Sequence, residues 1–210
     1  MRPAFTPPRE IRPVSTRRPV VPGGRDECRR RLVAGLAGRV VEIGCGSGLC
    51  FGAYPPAVSS VLAVEPDPAR AGEACRAARA ARVPVMVRMG TAERLPLEPE
   101  SADAAVTSLV LCSVPDIEAA LAELRRVLRR GGELRFYEHV IAARGPRRAL
   151  QRLVGPVYRR LPEGCDIARD TEAAIVAAGF AIDRVERFLY SPSRLEPAMP
   201  HVLGSARARA

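Results

Sequence analysis

From residue 25 onward the apolar positions alternate between two spacings. Leu32, Val33, Leu36 and Ala37 recur at helical intervals behind Asp26, a capping residue, and the segment closes at Gly38. Arg39-Val40-Val41-Glu42-Ile43 then predicts a short buried strand. Further strands are expected at 60–64, 85–89, 104–108 and 133–138, and helices at 68–80, opened by Pro68, and 117–128, followed by a Gly131-Gly132 turn. Strands alternating with helices predict an α/β fold, a parallel sheet covered on both faces. The end of the chain reads differently, as a helix over 171–178, a stop at Gly179, and strands over 180–188 and about 199–204. No internal repeat is visible.

Ahead of this pattern, residues 1–24 carry six prolines, five arginines and little to bury, which predicts a flexible arm. The expected division is arm 1–24, one domain 25–204 and a flexible tail 205–210. No run of about 18 apolar residues is present to span a membrane. Six cysteines without a C-x-x-C pair fit neither a disulfide framework nor a zinc ribbon, and a reducing, cytoplasmic setting is expected. The net charge of +10 comes entirely from arginine, since the chain has no lysine. Residues 25–204 hold 26 Arg against 22 acids, or +4, an ordinary solvated surface. With 4% aromatic residues to stack on bases, nucleic acid is not an expected partner. The rival, a nucleic-acid module working through the arginine arm, would bind with steep salt dependence.

The chemistry concentrates at Val41-Glu42-Ile43-Gly44-Cys45-Gly46-Ser47-Gly48, with Glu65 closing the next strand 21 residues after Gly44. Glycines in the first strand-to-helix turn let the backbone approach a ligand, and an acid ending the second strand accepts from both hydroxyls of a ribose. The ligand therefore contains adenosine. The third glycine comes one residue earlier than in dinucleotide-binding loops, no basic residue stands in the loop, and Glu42 precedes it. A sulfonium and an ammonium tolerate that acid where a pyrophosphate would not, which favours S-adenosyl-L-methionine over NAD.

On these residues the sequence resembles the class I S-adenosylmethionine-dependent methyltransferases, specifically the methyltransferase type 11 group, over about residues 25–204. The resemblance implies a Rossmann-like sheet of seven strands in the order 3-2-1-4-5-7-6, with the cofactor across the carboxyl ends of strands 1 to 4. It places Glu42, Gly44, Cys45, Gly46 and Gly48 around the cofactor, Glu65 and Pro66 at the ribose, and Ser108 and Leu109 at the end of strand 4. Gly90 to Pro96 is similar to the adenine loop, but Thr91 stands where Asp is common, leaving the Ala92 backbone and Glu93. Tyr54-Pro55-Pro56, Leu109 to Val114, Glu138-His139-Val140, Gly164-Cys165-Asp166 and Pro200-His201-Val202-x-Gly204 are similar to the methyltransferase-like seven family of alkyl thiol methyltransferases. Animal members of that family carry an N-terminal hydrophobic anchor, and no such segment stands in this sequence.

The expected activity is methyl transfer to a small or hydrophobic acceptor, with a thiol leading and a phospholipid amine or quinone-type ring as the alternative. A cofactor-binding protein without catalysis is the rival of another class. Methyl transfer from a sulfonium is an in-line displacement, so the protein mainly positions the reactants and excludes water. His139, directly after the fifth strand, is the candidate to orient or deprotonate the acceptor, Asp166 the second; the plain alternative is a histidine tying a loop to the sheet. His201 is expected to be structural, Cys112 to pack in the core, and Cys165 to be the one cysteine worth testing. The segment 149–161 has apolar residues at helical spacing among arginines, and Gly155-Pro156 is expected to bend or interrupt it. It reads as a lid over the acceptor, as a peripheral contact with anionic lipid, or as an ordinary helix packed on the sheet.

Overall fold

Successive residues of a strand face opposite sides of a sheet, and the strands here supply apolar side chains to both. In a computed structural model describing residues 24–160, 164–191 and 197–208, the chain runs α1 (Gly24–Val33), β1 (Gly38–Ile43), a 3-10 turn (Phe51–Ala53), β2 (Val58–Glu65), α2 (Pro68–Ala78), β3 (Val85–Met89) and β4 (Ala102–Ser108). It continues with α3 (Ile117–Val127), β5 (Leu128–His139), α4 (Pro146–Tyr158), α5 (Thr171–Ala177), β6 (Phe180–Tyr190) and β7 (Met199–Ala208). Val41, Ile43, Ala105, Leu134 and Phe136 pack on one face with Leu121 and Leu124 of α3 and Ile175 of α5. Val40, Ala104, Val106 and Tyr137 pack on the other with Leu32 and Val33 of α1 and Ala74 of α2.

The sheet order is β3-β2-β1-β4-β5-β7-β6, as the resemblance implied. Strands β1 to β5 are mutually parallel, while β7 runs antiparallel to β5 and β6. The carboxyl ends of β1, β4 and β5 therefore lie side by side on one edge, where open α/β sheets bind ligands.

Helix starts follow side-chain caps. Asp67, Asp116 and Asp170 accept from the backbone N–H of Arg70, Ala119 and Ala173 at 2.8, 3.0 and 3.2 Å. Asp26 does not cap α1: the helix begins at Gly24, and the Asp26 carboxylate pairs with Arg29 at 2.9 Å. Nor does Gly38 end it, since the helix stops at Val33 and Gly38 opens β1.

Two further expectations are corrected, and a third in part. Gly131-Gly132 is not a turn but part of β5, absorbed as a register shift against β4 between Ala102 and Ala104. Residues 205–208 are not a tail, because β7 continues through them, with Ala206 fully buried and Ala208 paired to Phe180. Pro156 does not interrupt α4; it sits in the last turn, where its missing N–H forfeits one bond, and Arg159 N–H still reaches the Gly155 carbonyl at 3.0 Å. Residues 1–23 of the expected arm lie outside the described residues, and its last residue, Gly24, is helical.

Candidate functional site

The glycine loop leaves β1 with Gly44 and Gly46 at φ +57° and +56°, backbone that glycine adopts without a Cβ penalty. A Cβ on Gly44 would meet Val110 Cγ2 at 2.6 Å, whereas one on Gly46 would meet nothing within 4 Å. Gly44 thus keeps the loop against the strand-4 side, and Gly46 faces open space. Glu65, at the tip of the neighbouring β2, binds the loop directly: its Oε2 accepts from Gly46 N–H at 2.8 Å and its Oε1 from Asp67 N–H at 3.1 Å. Glu42 is buried and accepts from the Tyr54 hydroxyl at 2.8 Å; burial pushes its carboxyl up to about 7, against the hydrogen bond, which lowers it.

A second wall is built on β4 and β5. Leu109 takes a left-handed conformation at φ +62°, and its N–H donates to the Tyr137 carbonyl at 2.7 Å. The carboxylate of Glu138, wholly buried, accepts from Val110 and Cys112 N–H, both at 3.2 Å. Arg169 donates to the carbonyls of Leu111 and Val114 at 2.7 and 2.8 Å, and Asp166 N–H to that of Cys112 at 2.7 Å. These bonds draw the loop after β4 and the segment before α5 onto the end of β5. There His139 Nδ1 stands 3.2 Å from Cys165 Sγ and 3.7 Å from Cys112 Sγ. The Cys112 thiol, then the His139 ring, draw the Cys165 thiol down to about 6, against burial, which raises it. Cys112 moves the opposite way, pushed up by Cys165 and by its own burial.

The two walls face one cleft of about 640 Å³. Of the residues singled out in the sequence, Glu42, Gly44, Cys45, Gly46, Ser108, Leu109 and His139 border it, together with Cys112 and Cys165. Glu65 sits behind Gly46. Gly48 packs on Phe51, where a Cβ would meet the ring at 2.6 Å, and Pro66 is exposed beyond the tip of β2. Ala92 is buried in the core, and Glu93 accepts from Asp116 N–H at 3.4 Å; neither borders the cleft. Asp166 does not border it either: its carboxylate accepts from Ala168 N–H at 3.1 Å and faces Arg159 and Arg169 at 3.7 and 4.0 Å. His201 is buried in an aromatic layer, stacked on Tyr137 and Phe188. Its Nδ1 lies 2.9 Å from the Met199 carbonyl, and burial, then His139, lower its pKa to about 3.

Helix α4 reverses the usual arrangement. Gln151 points inward, donating to the Val140 and Ile167 carbonyls and accepting from Ala142 N–H. Leu150, Leu153 and Val157 are 57, 76 and 60% exposed. The apolar stripe is neither packed on the sheet nor part of the cleft lining.

What the sequence did not disclose is the convergence of Cys112 with His139. The signal was there in part: β4 and β5 are adjacent and parallel, so the loop after one meets the end of the other. The site of Cys165, at the end of a long insertion, had no such signal.

The family described as a methyltransferase domain matches residues 41–136. The chain is 33% identical over 180 residues to the Homo sapiens protein named thiol S-methyltransferase TMT1B, covering 83% of this chain and 73% of that one. It is 30% identical over 173 residues to a Cereibacter sphaeroides protein named phosphatidylethanolamine N-methyltransferase, covering 80% and 82%. Among solved structures, a putative methyltransferase from Bacillus halodurans superposes with a TM-score of 0.73 at 16% identity, over 88% of this chain and 99% of that one, a likeness of fold.

Proposed function

The chain belongs to the family of the thiol S-methyltransferases TMT1A and TMT1B and is an S-adenosylmethionine-dependent methyltransferase, and from that premise we propose that its acceptor is a small alkyl thiol. One observation carries the choice: the cleft that holds the glycine loop ends in a corner of two thiols and an imidazole, Cys112, Cys165 and His139. Such a corner sets thiol and imidazole groups beside the place where an acceptor sulfur would meet the cofactor's cationic sulfonium.

In this reading Glu65 takes the ribose hydroxyls and Pro66 shapes the loop beside them. Gly44, Cys45, Gly46 and Gly48 bring backbone to the cofactor, and Glu42 favours its positive charge. Ser108 and Leu109 flank it, while Ala92 and Glu93, which do not border the cleft, are not assigned to the adenine. His139 orients the acceptor; Asp166 serves by bracing the segment that carries Cys165. The acceptor sulfur forms a bond to the methyl carbon while the sulfonium–methyl bond breaks, its electron pair returning to the cofactor sulfur. The thiol proton is released, and the products are a thioether and S-adenosylhomocysteine. The protein contributes alignment and exclusion of water.

The test is transfer of labelled methyl to ethanethiol by the wild type and Glu65→Ala in parallel. Transfer that depends on Glu65 is expected; cofactor binding without transfer to any alkyl thiol would overturn the reading. A second reading, a phospholipid amine, is favoured by the outward Leu150, Leu153 and Val157 of α4 among Arg147, Arg148 and Arg152, a face suited to peripheral contact with anionic lipid. Label partitioning into the lipid phase distinguishes the two. We place the enzyme in the cytoplasm, where thiols stay reduced; among the described residues no helix is long and apolar enough to cross a membrane.

A further inference from the structure

The thiol reading leaves one question at the acceptor corner: what holds a sulfur there as thiolate at neutral pH, where an alkyl thiol is mostly protonated. Cys112, His139 and Cys165 each direct one ligand atom to a common point, with all three atoms within 4.8 Å of one another. A tetrahedral zinc with Zn–S of about 2.3 Å and Zn–N of about 2.0 Å requires N···S edges of about 3.5 Å. The two N···S distances, 3.2 and 3.7 Å, straddle that value. Three unlinked stretches of chain supply the ligands, and besides the His139–Cys112 and His139–Cys165 contacts themselves, three hydrogen bonds that use none of the ligand atoms bring them together: Cys112 N–H to Glu138, Asp166 N–H to the Cys112 carbonyl, and Thr171 Oγ1 to the His139 carbonyl at 3.3 Å. The geometry is therefore set by the fold. Three ligands and an open side on a cleft is the arrangement of catalytic zinc, not of a closed structural site.

We propose that Cys112, His139 and Cys165 bind a zinc ion whose fourth position, facing the cleft, receives the acceptor thiolate, an inference that rests on the thiol reading above. His139 is then a ligand through Nδ1 and not a base. Both cysteines bind as thiolates and release their protons when the metal enters, leaving a neutral site. An incoming thiol gives up its proton to solvent on binding zinc, and its sulfur takes the methyl from the sulfonium. The sulfur thereby becomes a thioether, a poorer zinc ligand than a thiolate, so methylation itself loosens the product.

The full chain, kept reduced, is stripped with a chelator and reloaded with zinc or cobalt(II). One metal per chain is expected, with a Kd below about 1 μM, and the cobalt form should show the thiolate charge-transfer band of a tetrahedral site. Cys112→Ser, Cys165→Ser and His139→Ala should each weaken retention by at least about tenfold, as loss of one of three ligands does, while Cys75→Ser, at an exposed thiol on α2, should not. S-adenosylmethionine binding by each variant reports that the cleft remains folded. Ethanethiol should raise the charge-transfer intensity as a third thiolate enters.

No retained metal and no thiolate band in the wild type overturns the site, whatever the activity. Metal retention with thiol methylation undiminished after stripping overturns the role in presenting thiolate. A cobalt form that responds to ethanethiol, in a chain that methylates lipid amines and no thiol, supports the metal site while overturning the thiol reading.

Discussion

Glu42 is a carboxyl placed where its charge is costly until a cation arrives. Its folded pKa, about 7, lies above the ordinary 4.5, so the folded state holds the proton more tightly than the unfolded chain. Stability from this group is accordingly greatest at low pH and declines as pH rises from about 4.5 to about 7, then levels. Thermal melts of Glu42→Gln should lack that decline. A cationic ligand favours the carboxylate, so cofactor binding below pH 7 should expel a proton, and affinity should rise with pH across this window in the wild type and stay flat in Glu42→Gln. Calorimetry in buffers of different ionisation enthalpy measures the proton; a flat wild-type profile would show that Glu42 does not sense the ligand. For Glu65, whose Oε2 holds the loop through Gly46 N–H and whose Oε1 accepts from Asp67 N–H, alanine removes charge-assisted bonds worth about 1.5–3 kcal/mol, so titration should show cofactor affinity falling by about tenfold or more. Both residues were legible in the sequence, since a strand, a glycine turn and an acid at the next strand tip fix their places by spacing alone. Asp166 was not: its carboxylate is spent on Ala168 N–H and two arginines, and nothing in a Cys-Asp pair tells which of the two side chains turns toward the cleft.

At the scale of elements, α4 shows the limit of periodicity. A stripe of Leu150, Leu153 and Val157 announces a helix but not the direction it faces. Gln151 settles that by satisfying three backbone groups beneath the helix, which leaves the leucines outward. An exposed face of this kind, flanked by arginine, should bind vesicles containing anionic phospholipid. Leu153→Asp should abolish co-flotation with such vesicles while shifting the melting temperature by under about 2 °C, because a 76% exposed side chain contributes little to folding. Equal flotation of the variant would remove the lipid reading of α4. The strands behaved better under the same rule: Val40 to Ile43 and Ala104 to Ser108 are unbroken by charge except at Glu42, and a buried parallel strand has few other signatures.

Across the whole molecule, the antiparallel β7 locks the sheet's last third. It pairs with β5 from Glu133 to His139 and with β6 from Phe180 to Tyr190. Ser205-Ala206-Arg207-Ala208 lacks the bulk that marks a strand, and its role came into view only from the partners on either side of it. Deleting residues 205–210 should therefore lower the melting temperature by about 5 °C or more, through lost pairing and the loss of buried Ala206, in a scan against the full chain. An unchanged melt would mean that these residues add nothing to the sheet.

The labour of the site is also divided along the chain. The glycine loop, Glu65 that binds it and Val110 that packs on Gly44 all lie within the chain up to residue 110, while one continuous insertion between β5 and α5 delivers Cys165 and rests on the remainder through Asp166 N–H, the Arg169 guanidinium and the Ile141–Arg169 backbone bond. Such an insertion is an interchangeable part. Lineages could trade residues 142–164 for other lengths and compositions, keeping those three anchors, and so acquire new acceptors without renegotiating how the methyl donor is held.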